Sequence, residues 1–160
     1  MISNLQLPYH IVQTDDLAYK FITQSGVVYA AYFIDISEAF GADHVYTFSF
    51  DAVGKPVNDG RVRYTIVKIL SDFFQVNQNS LIVVCETCDK KENARFRLFE
   101  KWYCQTGEHD IEKIDAFVDH ADYNFRSSLL LFKEHPRYQE IKGIYDAVSY
   151  THLTLPTIRL

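Results

Sequence analysis

The apolar positions of this chain recur every second residue in some stretches and every third or fourth in others, and the changes of period predict its elements. Ala18 to Thr23 (AYKFIT) alternates as a half-buried strand does. Gln24-Ser25-Gly26 supplies a turn, and Val27 to Asp35 (VVYAAYFID) supplies a second strand, so the two form a β-hairpin. A loop is expected over Ile36 to Asp43. Val45 to Asp51 (VYTFSFD) reads as a third strand, with Tyr46, Phe48 and Phe50 on a buried face and Val45, Thr47, Ser49 and Asp51 on the other. After the turn-rich Val53 to Gly60 the period becomes helical. Val62, Ile66, Ile69, Leu70, Phe73 and Phe74 form one stripe, and Asp59 is placed to cap the first turn.

Leu81 to Cys85 (LIVVC) is apolar on both sides, as in a central strand covered on two faces. Asp89 and Glu92 have capping-box spacing and start a helix expected to reach Gln105, with Phe96, Leu98, Phe99, Trp102 and Tyr103 on its apolar side and Gly107 as its stop. Strands are expected at Glu112 to Val118 and Phe125 to Phe132. A last helix is expected from His135-Pro136, with proline at its tolerated first position and Tyr138, Ile141, Ile144 and Tyr145 facing inward. The order β-β-β-α-β-α-β-β-α predicts an α+β domain with a mostly antiparallel sheet and helices packed on it.

Composition narrows the function classes. The net charge of −5 disfavours nucleic acid, which is bound through basic contacts to phosphate. The chain has no apolar run of the roughly 20 residues that span a bilayer and no signal-peptide start. Three cysteines without a secretion signal point to reduced thiols and a cytoplasmic location.

Candidate chemistry is sparse. Cys85 and Cys88 form one C-x-x-C, but a structural zinc site needs four ligands, and Cys104, His109 and His120 do not supply a second pair, so no metal is expected. Arg95 borders the apolar stripe at Leu98, Phe99 and Trp102. It can contact an anion or a partner's carboxylate, or lie over Trp102. Lys90, Lys91, Arg95, Arg97 and Lys101 alternate with Glu86, Asp89, Glu92 and Glu100, which makes a solvated helix face rather than a phosphate track. The remaining histidines are scattered and imply no triad.

The sequence carries three resemblances. Val148 to Thr157 (VSYTHLTLPT) resembles the translation of a sequencing adapter, so residues 148–160 are expected to be a non-native, irregular tail behind a single domain of residues 1–147 whose last helix is cut short. The stretches YKFITQSGVVYAAY (Tyr19 to Tyr32), YTFSF (Tyr46 to Phe50), TIVKILSDFF (Thr65 to Phe74) and VCETCDKKENARFRLFEKWY (Val84 to Tyr103) resemble the uncharacterised bacterial domain-of-unknown-function family 6169, which implies no assigned activity.

From the third strand onward the element order is similar to the Gcn5-related acetyltransferase fold, and Leu98-Phe99-Glu100-Lys101 resembles the end of that fold's last signature helix. The resemblance implies acetyl-CoA as cofactor and places its pyrophosphate near Gly60, Arg61 and Arg63. The departures are in the chemistry: the family's tyrosine acid falls on Phe99, its asparagine and alanine fall on Glu92 and Arg95, and one glycine makes a weak anion cradle. The expectation is therefore a soluble, non-enzymatic interaction module with a protein partner and no cofactor, displaying an exposed apolar patch. The alternative is a divergent acyl-CoA-binding N-acetyltransferase-like protein. Oligomeric state is not legible.

Overall fold

The computed structural model describes residues 7–86, 110–119 and 124–151. Its strands are β1 (Val12–Asp15), β2 (Ala18–Ile22), β3 (Val28–Asp35), β4 (Val45–Val53), β5 (Ser80–Glu86), β6 (Ile111–Asp119) and β7 (Asn124–Phe132), and its helices are α1 (Ser37–Phe40), α2 (Gly60–Phe73) and α3 (Tyr138–Thr151). The strands lie in the sheet order β1-β2-β3-β4-β5-β7-β6, with β4 and β5 parallel and the β1/β2, β2/β3, β5/β7 and β6/β7 pairs antiparallel. This is the expected α+β class. The helix expected over Asp89 to Gln105 lies outside the described residues. No helix among the described residues is long and apolar enough to cross a membrane. The contacts divide the chain into two units, Met1–Phe33 with Ser49–Val76 and Ile34–Phe48 with Asn77–Leu160.

The first unit is built on aromatic packing. The β2/β3 hairpin closes where the Gly26 amide donates to the Thr23 carbonyl at 3.0 Å, with Gly26 at φ 87°, a conformation that side chains resist. Register sets Phe21 opposite Tyr29, and their rings stack at 5.1 Å; Phe21 also stacks with Tyr9 at 6.1 Å. Phe33 stacks on Phe73 of α2 at 4.3 Å. Ile66, Ile69, Leu70 and Phe74 are buried, so the expected stripe of α2 is its packed side. Asp59 caps this helix as expected, its carboxylate accepting from the Arg61 amide at 3.0 Å. The strand β1 was not expected: its four residues are all exposed, so no apolar alternation announces it.

The second unit has an aliphatic core. Val45, Ile82, Val84, Leu129 and Leu131 come from β4, β5 and β7, and they are covered by Ile36, Phe40 and Ala42 around α1 and by Ile141 and Tyr145 of α3. The loop expected at Ile36 to Asp43 thus contains a short helix. Its stop is Gly41 at φ 101°, whose amide returns to the Ser37 carbonyl.

This packing corrects the reading of β4. Alternation puts Val45 and Thr47 on the face opposite the apolar Tyr46, Phe48 and Phe50, yet both are buried, because the parallel rungs Val45–Ser80 and Thr47–Ile82 bring that side under α1 and α3. The hydroxyls of Thr47 and Ser80 are buried without a hydrogen-bond partner among the described residues.

The last helix begins at Tyr138 rather than at Pro136. The His135 ring explains the delay: its Nδ1 accepts from the Arg137 amide at 2.9 Å and its Nε2 meets the Gln78 carbonyl at 3.0 Å, which holds Pro136-Arg137 as a turn. The helix also runs through Val148–Thr151, where an irregular tail was expected.

Tyr138 donates its phenolic hydrogen to the Glu112 carboxylate on β6. That bond, followed by burial, pushes its pKa up to about 12 from an ordinary value of 10.0. A raised folded pKa favours the protonated phenol. The stabilisation is therefore complete below about pH 10 and lost as pH rises through about 12. In a spectrophotometric phenol titration, Tyr138→Phe should remove a tyrosine that ionises near pH 12, and the difference in stability between the two proteins should shrink over that window.

Candidate interaction face

The hairpin and β1 present two faces of opposite character. Tyr19, Phe21, Tyr29 and Phe33 point to the aromatic core. The other face follows from register: Val12 pairs Lys20, Lys20 pairs Ala30, Ile22 pairs Val28 and Ala18 pairs Tyr32, so these seven residues share one side. That side stays open. Ile22 is 59% exposed and Val12 51%, while Val28, Ala30 and Tyr32 on the neighbouring β3 are half-buried. The Tyr32 hydroxyl donates to the Asp51 carboxylate at 3.3 Å, which places Asp51 beside this face. Val53, two residues further along β4, is 70% exposed. Burial, and then the negative charge of Asp51, raises the Tyr32 phenol, so it stays protonated as a donor.

A strand apolar on both sides is normally covered on both. In β3 (VYAAYFID) one side is covered by aromatic packing and the other is left to solvent. The free edge beside it is blunted, because β1 is only four residues long and its register is broken between Gln13 and Asp15. The face itself, not its edge, is what the first unit offers.

The residues singled out for a cofactor lie elsewhere in this unit, on the first turn of α2. Gly60, Arg61 and Arg63 do come together there, but the turn is filled by the chain's own groups. Asp59 puts a carboxylate on the amides, and the Tyr9 hydroxyl donates to it at 2.5 Å. Arg61 lies 3.9 Å over the Tyr9 ring and spends its fork on backbone, with Nε donating to the Leu7 carbonyl at 2.9 Å and Nη2 to that of Pro8 at 3.4 Å. The Arg63 guanidinium stands 5.6 Å from the Tyr64 ring centre, and its buried Nε has no acceptor among the described residues. An anion approaching these amides meets a fixed negative charge, which reverses the usual preference of a helix N-terminus.

Arg95, Cys88, Cys104, His109 and His120 lie outside the described residues. Cys85 is in β5. Among the described residues no group of histidines, cysteines and carboxylates is arranged to hold a metal. Each unit has at least one open concavity among the described residues. Pro8, Tyr9, Ile11, Tyr19 and Ile69 line a space of about 380 Å³, with the Lys68–Asp72 ion pair at its rim. Asp35, Glu38, Asp43 and Arg137 line one of about 700 Å³. In the second, Arg137 is held by two 2.6 Å bonds to Glu140, and the Asp35 carboxyl is lowered by its hydrogen bonds from Ser37.

The model of the family of unknown function DUF6169 matches residues 58–147, more than half of the chain. The chain belongs to this family. The match takes in Thr65 to Phe74 and Val84 to Tyr103; Tyr19 to Tyr32 and Tyr46 to Phe50, and with them most of the open face, precede it. No curated protein matches. Two solved structures are similar to this DUF6169 chain. One is described as a "putative phosphinothricin N-acetyltransferase", with 14% identity, TM-score 0.45, and coverage of 74% of this chain and 72% of that one. The other is the CoA-dependent acyl-homoserine lactone synthase MesI, with 12% identity, TM-score 0.42, and coverage of 91% and 73%. At these identities the likeness concerns the fold alone.

Proposed function

We propose that this DUF6169 protein is a non-enzymatic protein-interaction module that docks its partner on the open face of β1, β2 and β3. One observation carries the reading. Val12, Ile22 and Val53 are exposed, and register and the Tyr32–Asp51 bond gather them around the half-buried Val28, Ala30 and Tyr32. Scattered exposed apolar residues need no explanation, whereas a contiguous patch of them marks an interaction surface. The acyl-CoA alternative finds less support, since a pyrophosphate at Gly60 and Arg61 would face the Asp59 carboxylate.

Ile22→Asp tests the docking reading. The side chain is mostly exposed, so stability should change by less than about 1 kcal/mol. Burying the new carboxylate against an apolar partner should weaken capture on the order of tenfold or more. Pull-downs from native lysate with the wild-type and variant chains, read beside their thermal melts, measure both. Repeated wild-type pull-downs that recover nothing would count against docking. Heat of binding on titrating coenzyme A into the wild-type protein would favour the acyl-CoA alternative.

A further inference from the structure

We propose that the occupant of the open face is a second copy of this chain, packed sheet on sheet about a two-fold axis that runs along β3. The inference rests on the reading of this face as a docking surface and goes beyond it by naming what docks. A symmetric pair requires a patch that complements itself. This one does so in charge and in shape.

Lys20 lies on β2, directly opposite Ala30 of β3. Asp51 lies on β4, on the other flank, where the Tyr32 hydroxyl of β3 donates to it. Two strand spacings separate the two charges, roughly 10 Å. An axis between them, in the plane of the face, exchanges the flanks. Each Lys20 then comes within reach of the other copy's Asp51, giving two equivalent ion pairs. The exposed Ile22 on one flank comes over the exposed Val53 on the other. Ala30 lies near the axis, where a small side chain lets two sheets approach to the usual face-to-face distance of about 10 Å. Asp15, opposite Ala18 on β1, sits at the rim of the patch.

Charge reversal is the test, because it separates this pairing from any generic use of the face. Sedimentation velocity over a range of concentrations is run on the full chain, on Lys20→Asp, on Asp51→Lys and on the double variant, with thermal melts to confirm folding. The expected result is a self-associating wild type, a dissociation constant raised about tenfold or more by either reversal, and recovery in the double variant. Should either reversal fail to fold, Ile22→Arg on the same face should likewise abolish association. A wild type that stays monomeric at the highest attainable concentration would overturn the proposal, and so would a dimer indifferent to both reversals or a double variant that does not recover. A monomer that still captures a different protein through Ile22 would overturn only the second copy as occupant; a monomer that captures nothing would remove the docking reading as well.

Discussion

Replacing Tyr9 by alanine is expected to destabilise the fold by about 3–5 kcal/mol, as other large aromatic truncations do. Tyr9 precedes the first strand in a segment without regular structure, yet it ties β2, α2 and the hairpin turn together. Its ring stacks on Phe21 of β2 and carries the Arg61 guanidinium on its face. Its amide donates to the Thr65 hydroxyl of α2 at 2.8 Å. Its own hydroxyl donates to Asp59 and accepts from the Gln24 amide of the hairpin turn at 3.3 Å. Tyr9→Phe keeps the ring and removes only the hydroxyl, so it should cost about 1–3 kcal/mol, chiefly the bond to a charged acceptor. Urea unfolding followed by circular dichroism resolves the two. Equal losses would mean that the ring contributes nothing beyond its hydroxyl. A Tyr9→Ala loss under about 1 kcal/mol would mean that the segment is not held as described.

Tyr145→Ala should have an effect of the same size, about 3–5 kcal/mol, in the other unit. Tyr145 is essentially fully buried, packs among Ile82, Leu129 and Leu131, and shares a 2.7 Å hydrogen bond with the Ser127 hydroxyl of β7. Tyr145→Phe retains the packing and leaves the Ser127 hydroxyl buried beside carbon, at about 1–3 kcal/mol. Adding Ser127→Ala removes that stranded group, so the double variant should lose less than the sum of the two single losses. Strict additivity in a double-mutant cycle would show that the two hydroxyls do not interact.

What the sequence reveals follows from what local chemistry specifies. The hairpin at Gln24 to Gly26, the Asp59 cap and the α2 stripe are local, since each rests on a turn residue, a capping side chain or a period, and each is found where expected. The errors come from tertiary packing. Thr47 and Ser80 are polar residues buried by the parallel β4/β5 pairing, which no alternation along one strand can reveal. Pro136 fits the first position of a helix equally well whether or not a histidine ring holds the turn in front of it; the His135 bonds to Arg137 and Gln78 decide the matter.

The open face was only half legible. The apolar character of both sides of VVYAAYFID was visible, and it suggests cover on both sides. Only register shows that Val12, Lys20 and Ile22 from two other strands share the uncovered side. At α2 the acetyltransferase-fold resemblance offered Gly60, Arg61 and Arg63 as a weak anion cradle. It could not show that Tyr9, fifty residues earlier in the chain, fastens to Asp59 and lends its ring to Arg61.

The most direct measurement places a photo-crosslinking side chain at position 22 of the full chain in its native cellular setting, with the same side chain at the exposed Gln75 beyond the end of α2 as control. The expected result is a discrete adduct, with a second copy or another protein, from position 22 and none from position 75. No discrete adduct from position 22, or the same adducts from both positions, would contradict the open face as the working surface of this protein.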